Sequence, residues 1–235
     1  MRKTFIIPCK FIASKPVIYD CVQSINNTYG NSAEIIVIDS DSSDKSYFPI
    51  LRELGVIVDD AVNQHYISGA IWYAFEKYAR DYYCIVHDSM VLKKTLDQYD
   101  QNDVTSIRYF NSGRFFRNAG GGVNLGEFGF DNLEQFTWVE EQLFLHTSYS
   151  IPDRFTGLFG SALLCKRETL EKLHNKGFSK VLPCNKLQDQ GMERAWGIVL
   201  THEEYDIKKH TVAGDHNRNP DNSIIEKIHL SNLRK

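Results

Sequence analysis

The sequence has little excess of charge of either sign. Its 235 residues include 27 Lys and Arg against 30 Asp and Glu, which gives a formal charge of −3. Electrostatic binding to nucleic acid or to an anionic membrane normally requires a clear surplus of basic residues. The composition therefore predicts no nucleic-acid partner, and each acidic residue has to be considered in its own local pattern.

Long hydrophobic runs and closely paired cysteines are also missing. No stretch approaches the ~18 apolar residues that cross a membrane, and the first apolar segment, Phe5 to Ile7, is too short for a signal peptide. The cysteines form no C-x-x-C pair and are predicted to be free thiols. They are Cys9, Cys21, Cys84, Cys165 and Cys184. These absences predict a cytoplasmic protein without a transmembrane segment.

Short apolar strands alternate with helical patterns in the first part of the chain. Strands are predicted at Thr4 to Ile7, Glu34 to Ile38, Val56 to Val58 and Tyr82 to Val86, and helices after Ser14, from Ser46 to Leu54 and from Asn63 to Arg80. This alternation is typical of a parallel sheet with helices on both faces. The sequence therefore predicts an α/β fold with a mostly parallel central sheet, and the chain length suits one domain over residues 1–235.

The pattern is less regular beyond Leu92. Strands are predicted at Val104 to Phe110, Leu158 to Lys166 and His210 to Val212, and helices at Leu133 to Leu145, Arg167 to Lys176, from Gln188 onward and around 224–230. The Gly-rich stretch 111–132 contains no G-x-G-x-x-G motif, and it is predicted to be a long loop, either a substrate lid or a surface excursion. The tryptophans are predicted to be core residues, namely Trp72, Trp138 and Trp196.

Acidic residues stand where two of the predicted parallel strands end. The second strand runs into the polar stretch 39–44, which begins with Asp39, and the fourth runs into His87, Asp88 and Ser89. Ligands of parallel α/β sheets bind outside the carboxyl ends of the strands, which lie at one edge. An acid after the second strand suits a ribose, and one after the fourth suits a divalent cation on a diphosphate. Turn and cap formation would account for the same Asp and Ser residues.

Two later acidic positions complete the set of candidates. Asp189 opens a predicted helix and could deprotonate an attacking hydroxyl, although an acid in the first turn also stabilises a helix. Asp215 and His216 follow the last predicted strand, and His216 could complete a metal shell, which Mn²⁺ tolerates better than Mg²⁺. The plainer interpretation of His216 is a surface residue.

These segments, in this order, resemble family 2 nucleotide-sugar glycosyltransferases. The family's hydrophobic strand and Asp-Asp-Gly-Ser-Thr-Asp turn are matched by Ile35 to Asp44, in which Ser40 replaces the second Asp and Asp41 the Gly. Further similar segments are Asn63 to Ala74 with Gly69, Ile85 to Ser89 in place of the Asp-x-Asp motif, Leu158 to Arg167 on the acceptor side, and Gln188-Asp189 with Arg194 and Trp196. The resemblance covers about Thr4 to Trp196, and its metal motif retains a single Asp.

The resemblance implies a GT-A fold and a sugar-transfer reaction. Residues 1–100 would form the nucleotide-binding half, 101–216 the acceptor-side half and 217–235 a tail. The donor would be a nucleoside-diphosphate sugar, with a UDP-sugar favoured, the acceptor a carbohydrate or other hydroxyl, and the cofactor Mn²⁺ or Mg²⁺, with inversion at the anomeric carbon. Donor contacts would come from Pro8, Asp39, Ser42, Asp44, Asn63, Gly69, His87 and Asp88. Asp88 and His216 would hold the metal, and Asp189 would be the general base.

Two other functions stay open. The run after the second strand also fits the D-x-D-x-T start of haloacid-dehalogenase-like phosphatases, with Asp39 as nucleophile and Asp41 as acid/base. The late acids that would accompany it are Asp215 and Asp221. Against this, the motif follows the second strand instead of the first and leaves Asp88 and Asp189 without a role. The single Asp of the metal motif also keeps open a non-catalytic, nucleotide-binding scaffold of the same fold.

Overall fold

The computed structural model of the chain describes residues 2–116, 128–218 and 220–228. The strands are β1 (Lys3–Cys9), β2 (Ala33–Asp39), β3 (Ile57–Asp59), β4 (Tyr82–Ile85), β5 (Met90–Leu92), β6 (Val104–Ser106), β7 (Tyr109–Gly113), β8 (Arg154–Leu158), β9 (Leu163–Lys166) and β10 (Ile225–Lys227). The α-helices are α1 (Val17–Tyr29), α2 (Tyr47–Glu53), α3 (Tyr66–Lys77), α4 (Leu133–His146), α5 (Arg167–Asn175) and α6 (Lys186–His202).

The central sheet has the strand order β3-β2-β1-β4-β9-β6. Strands β3, β2, β1 and β4 run parallel, while β9 is antiparallel to both β4 and β6. Because β1 has β2 on one side and β4 on the other, the connections turn in opposite directions on either side of it. The carboxyl ends of β1 and β4 therefore form a topological switch point, where open α/β sheets bind their ligands.

Helices cover both faces of this sheet. Successive side chains of β1 point to opposite faces, so Phe5 and Ile7 pack with α1 and α2, whereas Ile6 packs with α3 and α6. The buried strands are apolar along their whole length because each face is covered. The predicted α/β fold with a mostly parallel sheet and helices on both faces is confirmed.

Pro8 lies inside β1, so the first strand extends beyond the predicted end at Ile7. The ladder between β1 and β4 stops at the pair Ile6 and Ile85, whereas the ladder to β2 continues to Cys9. Ile6 directs its backbone groups toward β4, since its oxygen accepts from Val86 N at 3.1 Å. Pro8 lies two residues after Ile6, so its backbone faces the same side of the strand. Its missing N–H therefore falls where β4 has already ended, no hydrogen bond of a ladder is lost, and the strand continues.

Several predictions for the second half of the chain are wrong in detail. The strand predicted at Leu158 to Lys166 is two strands of different sheets, because Gly160 and Ser161 adopt φ values of +64° and +52° and turn the chain. The residues from Ile225 form strand β10, paired antiparallel with β5, and not a helix. The strand predicted at His210 to Val212 is a single bridge to β6. Of the predicted Gly-rich loop, residues 117–127 lie outside the described residues.

The cysteines are free thiols, as predicted, and Cys184 is exposed whereas the others are buried. Within the described ranges, the helices are all too short or too polar to cross a membrane.

A buried carboxylate fixes the far end of α6. The side chain of Glu203 is 4% exposed; it accepts a hydrogen bond from Tyr149 Oη at 2.6 Å and pairs with Lys172 Nζ at 2.6 Å and with Lys176. Burial alone would raise the pKa of Glu203, but the hydrogen bonds from the two lysines and the tyrosine outweigh burial and lower it to about 2. The helix that carries Asp189 is thereby anchored to α5.

We expect Glu203→Gln to lower the free energy of unfolding near neutral pH by about 1.5–3 kcal/mol, the value of hydrogen bonds to a charged group. The folded-state pKa, about 2, lies below the ordinary value of 4.5. The stabilisation is therefore complete above the ordinary value and is lost as the pH falls toward the folded-state value. Urea unfolding across this pH window should show that the difference in the free energy of unfolding between wild type and variant becomes smaller on acidification. A difference that stays constant would rule out the ionised carboxylate as its source.

Candidate functional site

A cleft of about 510 Å³ opens at the carboxyl ends of β1, β2 and β4, at the switch point of the sheet. Its walls come from the strand ends, from the segment before α3, from the turn after β8, from the first turns of α6 and from β10. Pro8 lines it, together with the polar residues Lys10, Ser40, Asp41, Asn63, His87, Ser161, Lys186, Asp189, Glu193 and Lys227. The cleft therefore combines cations with two acids from one helix.

Asp39 is turned inward beneath the cleft. Its carboxylate is fully buried and accepts hydrogen bonds from Tyr47 Oη at 2.6 Å, from the Ser42 backbone N at 3.1 Å and from the Lys45 ammonium. Burial would raise the pKa of Asp39, but these donors lower it. In this position Asp39 fixes the turn that carries Ser40 and Asp41 into the cleft, and a phosphatase nucleophile would need a free carboxylate at this point.

Ser42 and Asp44 hold the same turn together. The Ser42 hydroxyl accepts a hydrogen bond from Phe11 N at 2.7 Å, which ties the turn to the segment after β1. Asp44 Oδ1 accepts from Ser46 N at 2.8 Å at the start of α2, and the side chain and backbone of Ser46 together lower the pKa of Asp44. The residues that match the family's turn are therefore engaged in local hydrogen bonds, while Ser40 and Asp41 present the surface to the cleft.

Asn63 lines the cleft, and Gly69 makes room for it. Asn63 Nδ2 donates to Ser40 Oγ at 3.1 Å and to Tyr66 O at 2.6 Å, so it joins the β2 turn to the start of α3. A Cβ on Gly69 would lie 2.2 Å from Asn63 Oδ1 and 2.6 Å from His65 Cβ. Gly69 is therefore required for the close approach of helix and loop, and only Asn63 of this pair reaches the cleft.

His87, Gly160 and Glu193 form a chain of hydrogen bonds across the cleft floor. His87 Nε2 lies 2.6 Å from Gly160 O, and Gly160 N donates to Glu193 Oε1 at 2.8 Å. Burial, followed by the Lys227 ammonium, lowers the pKa of His87 to about 3, so the ring is neutral and Nε2–H donates to the carbonyl. Burial raises the pKa of Glu193. This chain links the end of β4 to α6 through the backbone of one residue, Gly160.

Ser161 follows in the same turn and faces the cleft. It is fully buried with φ of +52°, a conformation that a non-glycine residue rarely adopts. Among the described residues its hydroxyl has no hydrogen-bond partner. A buried hydroxyl without a partner is costly in a folded protein, so a polar group of a ligand in the cleft is the natural partner for it.

Gly160→Ala should weaken ligand binding in the cleft and lower the free energy of unfolding by about 1–3 kcal/mol, the cost of a strained backbone position. The new Cβ would lie 2.3 Å from His87 Nε2, at a φ of +64°. The matched control is Gly55→Ala, which has φ of +78° but no atom within 4 Å of the new Cβ. Thermal unfolding and nucleotide titration of both variants measure the two effects. Equal nucleotide affinities of the two variants would show that His87 is not part of the binding site.

Asp88 and His216 lie in different places. Asp88 turns toward the Cys9 thiol and α1; burial raises the pKa of Asp88 to about 6, while Cys9 and Lys227 act in the opposite direction. The His216 ring stacks on Phe159, with 3.5 Å between the ring centroids, and lines a second pocket. Within the described ranges, no three His, Cys, Asp or Glu side chains are arranged to hold a metal ion. The Asp88 and His216 ligand pair that the sequence predicts therefore stays a prediction.

Asp189 lies in the first turn of α6 and lines the cleft, as predicted for a residue that acts there. Its side chain is 13% exposed, and Oδ2 pairs with Lys186 Nζ at 2.7 Å. The N-cap of the helix is Asn185, whose side chain accepts from Gln188 N. Asp189 is therefore not needed as the cap, and its carboxylate is presented to the cleft beside a lysine.

A second pocket of about 270 Å³ adjoins the cleft through α6. It is lined by aromatic rings, among them Phe110, Phe128 and Phe159. Glu193 and Lys186 line both cavities. Aromatic faces flanked by polar groups are suited to binding the apolar face of a sugar ring. The arrangement can hold two molecules next to each other, with acidic residues of one helix near their junction.

Glu193 and Lys227 are site residues that the sequence analysis missed. Glu193 follows Asp189 by four positions on the same helix face, and this i,i+4 spacing is a local signal that could have identified it. Lys227 has no such signal, because β10 reaches the cleft only by pairing with the distant β5. The hydrophobic pattern predicts a strand at Gly160 and Ser161, because it does not indicate their unusual backbone conformation.

No family model matches the chain, and no curated protein matches it. Among solved structures, S. aureus TarS matches at 13% identity over 83% of this chain and 33% of that chain, with a TM-score of 0.45. S. aureus TarS 1-349 in complex with UDP matches at 14% identity over 83% of this chain and 55% of that one, with a TM-score of 0.45. S. aureus TarS 1-349 in complex with UDP-GlcNAc matches at 13% identity over 84% of this chain and 54% of that one, with a TM-score of 0.44.

The chain therefore spans between a third and slightly more than half of the length of these proteins. At TM-scores below 0.5 such likenesses carry no argument about function. The proposal that follows depends on the residues of the cleft.

Proposed function

We propose that this chain is a glycosyltransferase that moves a sugar from a nucleoside-diphosphate sugar, with a UDP-sugar favoured, to an acceptor hydroxyl. The observation that carries the proposal is the pair of adjoining cavities at the switch point, with Asp189 in one and Glu193 between them. A two-substrate transfer needs a polar donor site, a neighbouring acceptor site and a base near their junction. The resemblance of the sequence to family 2 glycosyltransferases points to the same reaction.

The donor nucleotide would bind over the carboxyl ends of β1 and β2. Ser40 offers its hydroxyl group to the ribose, Asn63 holds Ser40 by a hydrogen bond, and the buried Asp39 keeps this turn in place. The diphosphate would extend toward β4 and the Gly160 turn, where the hydroxyl of Ser161 has no partner among the described residues. The sugar would then lie between the cleft and the aromatic pocket.

Asp189 would act as the general base. Its carboxylate takes the proton of the acceptor hydroxyl while the hydroxyl oxygen forms the new bond to the anomeric carbon. The bond from that carbon to the diphosphate oxygen breaks, and the electron pair leaves with the nucleoside diphosphate. Since the acceptor attacks the face opposite to the leaving group, the configuration inverts. Pairing with Lys186 at 2.7 Å keeps the Asp189 carboxylate at the cleft.

The predicted Mn²⁺ or Mg²⁺ stays a prediction. Asp88 is the single carboxylate at the end of β4, and it turns toward Cys9, while His216 lies in the second pocket. Among the described residues, no three His, Cys, Asp or Glu side chains are grouped to hold a cation, and no step of the reaction proposed above passes through a metal. The nucleotide panel that follows includes the metals and tests them directly.

A thermal-shift panel of UDP, GDP, CMP and ADP, each with Mn²⁺, with Mg²⁺ and with EDTA, tests the donor site. A ligand at 100 times its dissociation constant adds about 2.7 kcal/mol of stability, which raises the melting temperature by roughly 5–10 °C for a chain of this size. We expect UDP to give the largest shift. If no nucleotide stabilises the protein, the glycosyltransferase proposal fails; binding without sugar transfer to any acceptor would support the scaffold alternative.

A further inference from the structure

We propose that the ammonium group of Lys227 binds the diphosphate of the donor and neutralises the leaving group, so that transfer requires no divalent metal ion. The inference rests on the proposed function, and it assigns to one residue the positive charge that the departing diphosphate needs. Four observations support it: the position of Lys227, its contacts, the surrounding charges and the placement of the predicted metal ligands.

Strand β10 delivers Lys227 to the end of β4. Lys227 pairs with Met90 in the antiparallel ladder between β10 and β5, and Ile228 N donates to Ser89 O at 2.7 Å. The chain therefore passes directly beside the His87 to Ser89 segment. The Lys227 side chain reaches from this ladder into the cleft, where it lines the wall together with His87.

The Lys227 ammonium group has an aromatic contact and, among the described residues, no ion pair. Lys227 Nζ lies 4.9 Å from the ring centroid of Phe159, a cation–π contact that fixes its direction. Within the described ranges, no hydrogen bond or ion pair involves Nζ, in contrast to Lys45 and Lys186, which pair with Asp39 and Asp189. A partly buried cation without a partner is unfavourable unless an anion completes it.

The neighbouring charges suit an anion at this place. Burial lowers the pKa of Lys227; Glu193 and Asp88 favour its charged form, and Arg108 and Lys186 oppose it. Lys10 and Lys186 line the same cleft, so a diphosphate there would meet three ammonium groups. A bound diphosphate would add strong negative charge beside Lys227 and so favour its charged form.

The predicted metal ligands leave this role open. His216 stacks on Phe159, the ring that the Lys227 ammonium also contacts, and Asp88 is close enough to Lys227 to favour its charged form. The Lys227 ammonium therefore lies among the residues predicted to hold the metal and can supply positive charge there. Electrostatic stabilisation of the leaving group is usually the largest single contribution to a reaction of this kind. A lysine fixed by a β-ladder and an aromatic ring can provide it without a metal.

The test compares Lys227→Met with Lys227→Arg and with Glu226→Gln. Glu226 lies next to Lys227 on β10, is exposed and pairs with Lys93 at 2.7 Å, so its substitution controls for disturbance of the strand. The readouts are the affinities for UDP and for uridine, and the rate of sugar transfer in EDTA and in Mn²⁺. The ratio of the two affinities isolates the diphosphate contact, since uridine lacks it.

We expect wild type to transfer sugar in EDTA. Lys227→Met should lose the preference for UDP over uridine by roughly tenfold to hundredfold and lose kcat by about 10²–10³-fold. Lys227→Arg should retain most of the preference, and Glu226→Gln all of it. A wild type that transfers only with Mn²⁺, or a Lys227→Met variant with an unchanged UDP-to-uridine ratio, would overturn the inference while leaving the proposed function intact. If Lys227→Met does not fold, the rate of sugar transfer by wild type in EDTA still tests whether the reaction requires a metal ion. If wild type binds neither UDP nor any other nucleotide, the proposed function itself is lost.

Discussion

Asp189→Asn should reduce kcat for sugar transfer by about 10²–10⁴-fold, the usual contribution of a positioned general base, and leave the affinity for the donor nucleotide nearly unchanged. The amide has the shape of the carboxylate but cannot accept the acceptor's proton. The ion pair with Lys186 at 2.7 Å becomes a hydrogen bond from the ammonium to the amide oxygen, which costs little at this partly exposed position. Single-turnover transfer and titration with the nucleotide measure the two quantities separately.

Glu193→Gln is the matched control for this variant. Gln retains an oxygen that can accept from Gly160 N, so the hydrogen-bond chain to His87 is preserved. We therefore expect Glu193→Gln to keep most of the transfer rate. The reverse pattern, an active Asp189→Asn and an inactive Glu193→Gln, would assign the base to Glu193. Loss of nucleotide binding in Asp189→Asn would indicate a role in the architecture of the cleft.

Trp196→Ala should lower the free energy of unfolding by about 3–5 kcal/mol and the melting temperature by roughly 6–20 °C. Trp196 is fully buried, and it stacks on Trp72 with 5.7 Å between ring centroids and an interplanar angle of 14°. Its Nε1 donates to Ser68 Oγ at 3.3 Å. Removing the indole leaves a cavity between α3 and α6, because both helices are held by other contacts.

The control for Trp196 is Trp138→Ala on α4. Trp138 is partly exposed and lies at the edge of the same core. Its loss should cost much less than that of Trp196, since part of its surface is already in contact with water. Thermal and urea unfolding of both variants measure the difference. Equal costs for the two tryptophans would contradict the packing described for α3 and α6.

The parallel half of the sheet could be predicted from the sequence because its signals are local. Each of its strands is a short apolar run, and each helix that follows has an apolar face at helical spacing. The second half could not be predicted equally well. Gly160 and Ser161 interrupt an apolar run with positive φ values, and β10 is too short to have a period of its own. Its identity as a strand is decided by a distant partner, β5.

The candidate site could be predicted in part for the same reason. The edge of the sheet follows from the order of strands and helices, and Asp189 reaches it from the first turn of α6. The direction of a side chain at a strand end does not follow from the sequence. Asp39 and Asp88 stand at the ends of β2 and β4, on either side of β1, yet Asp39 turns into a buried network and Asp88 toward Cys9. Lys227 was outside any local motif, although it faces the cleft directly.

The short ladder between β5 and β10 has a consequence for the order of folding. Three residue pairs join segments that are separated by most of the chain, with Ile225 opposite Leu92 and Lys227 opposite Met90. Closing so long a loop has a high entropic cost for little contact area, so this ladder should form late and open first. A ligand that contacts both Lys227 and α6 would therefore stabilise β10 in its docked position. Nucleotide binding and the docking of β10 would be cooperative, and the cleft would gain its full affinity only as the chain closes around its ligand.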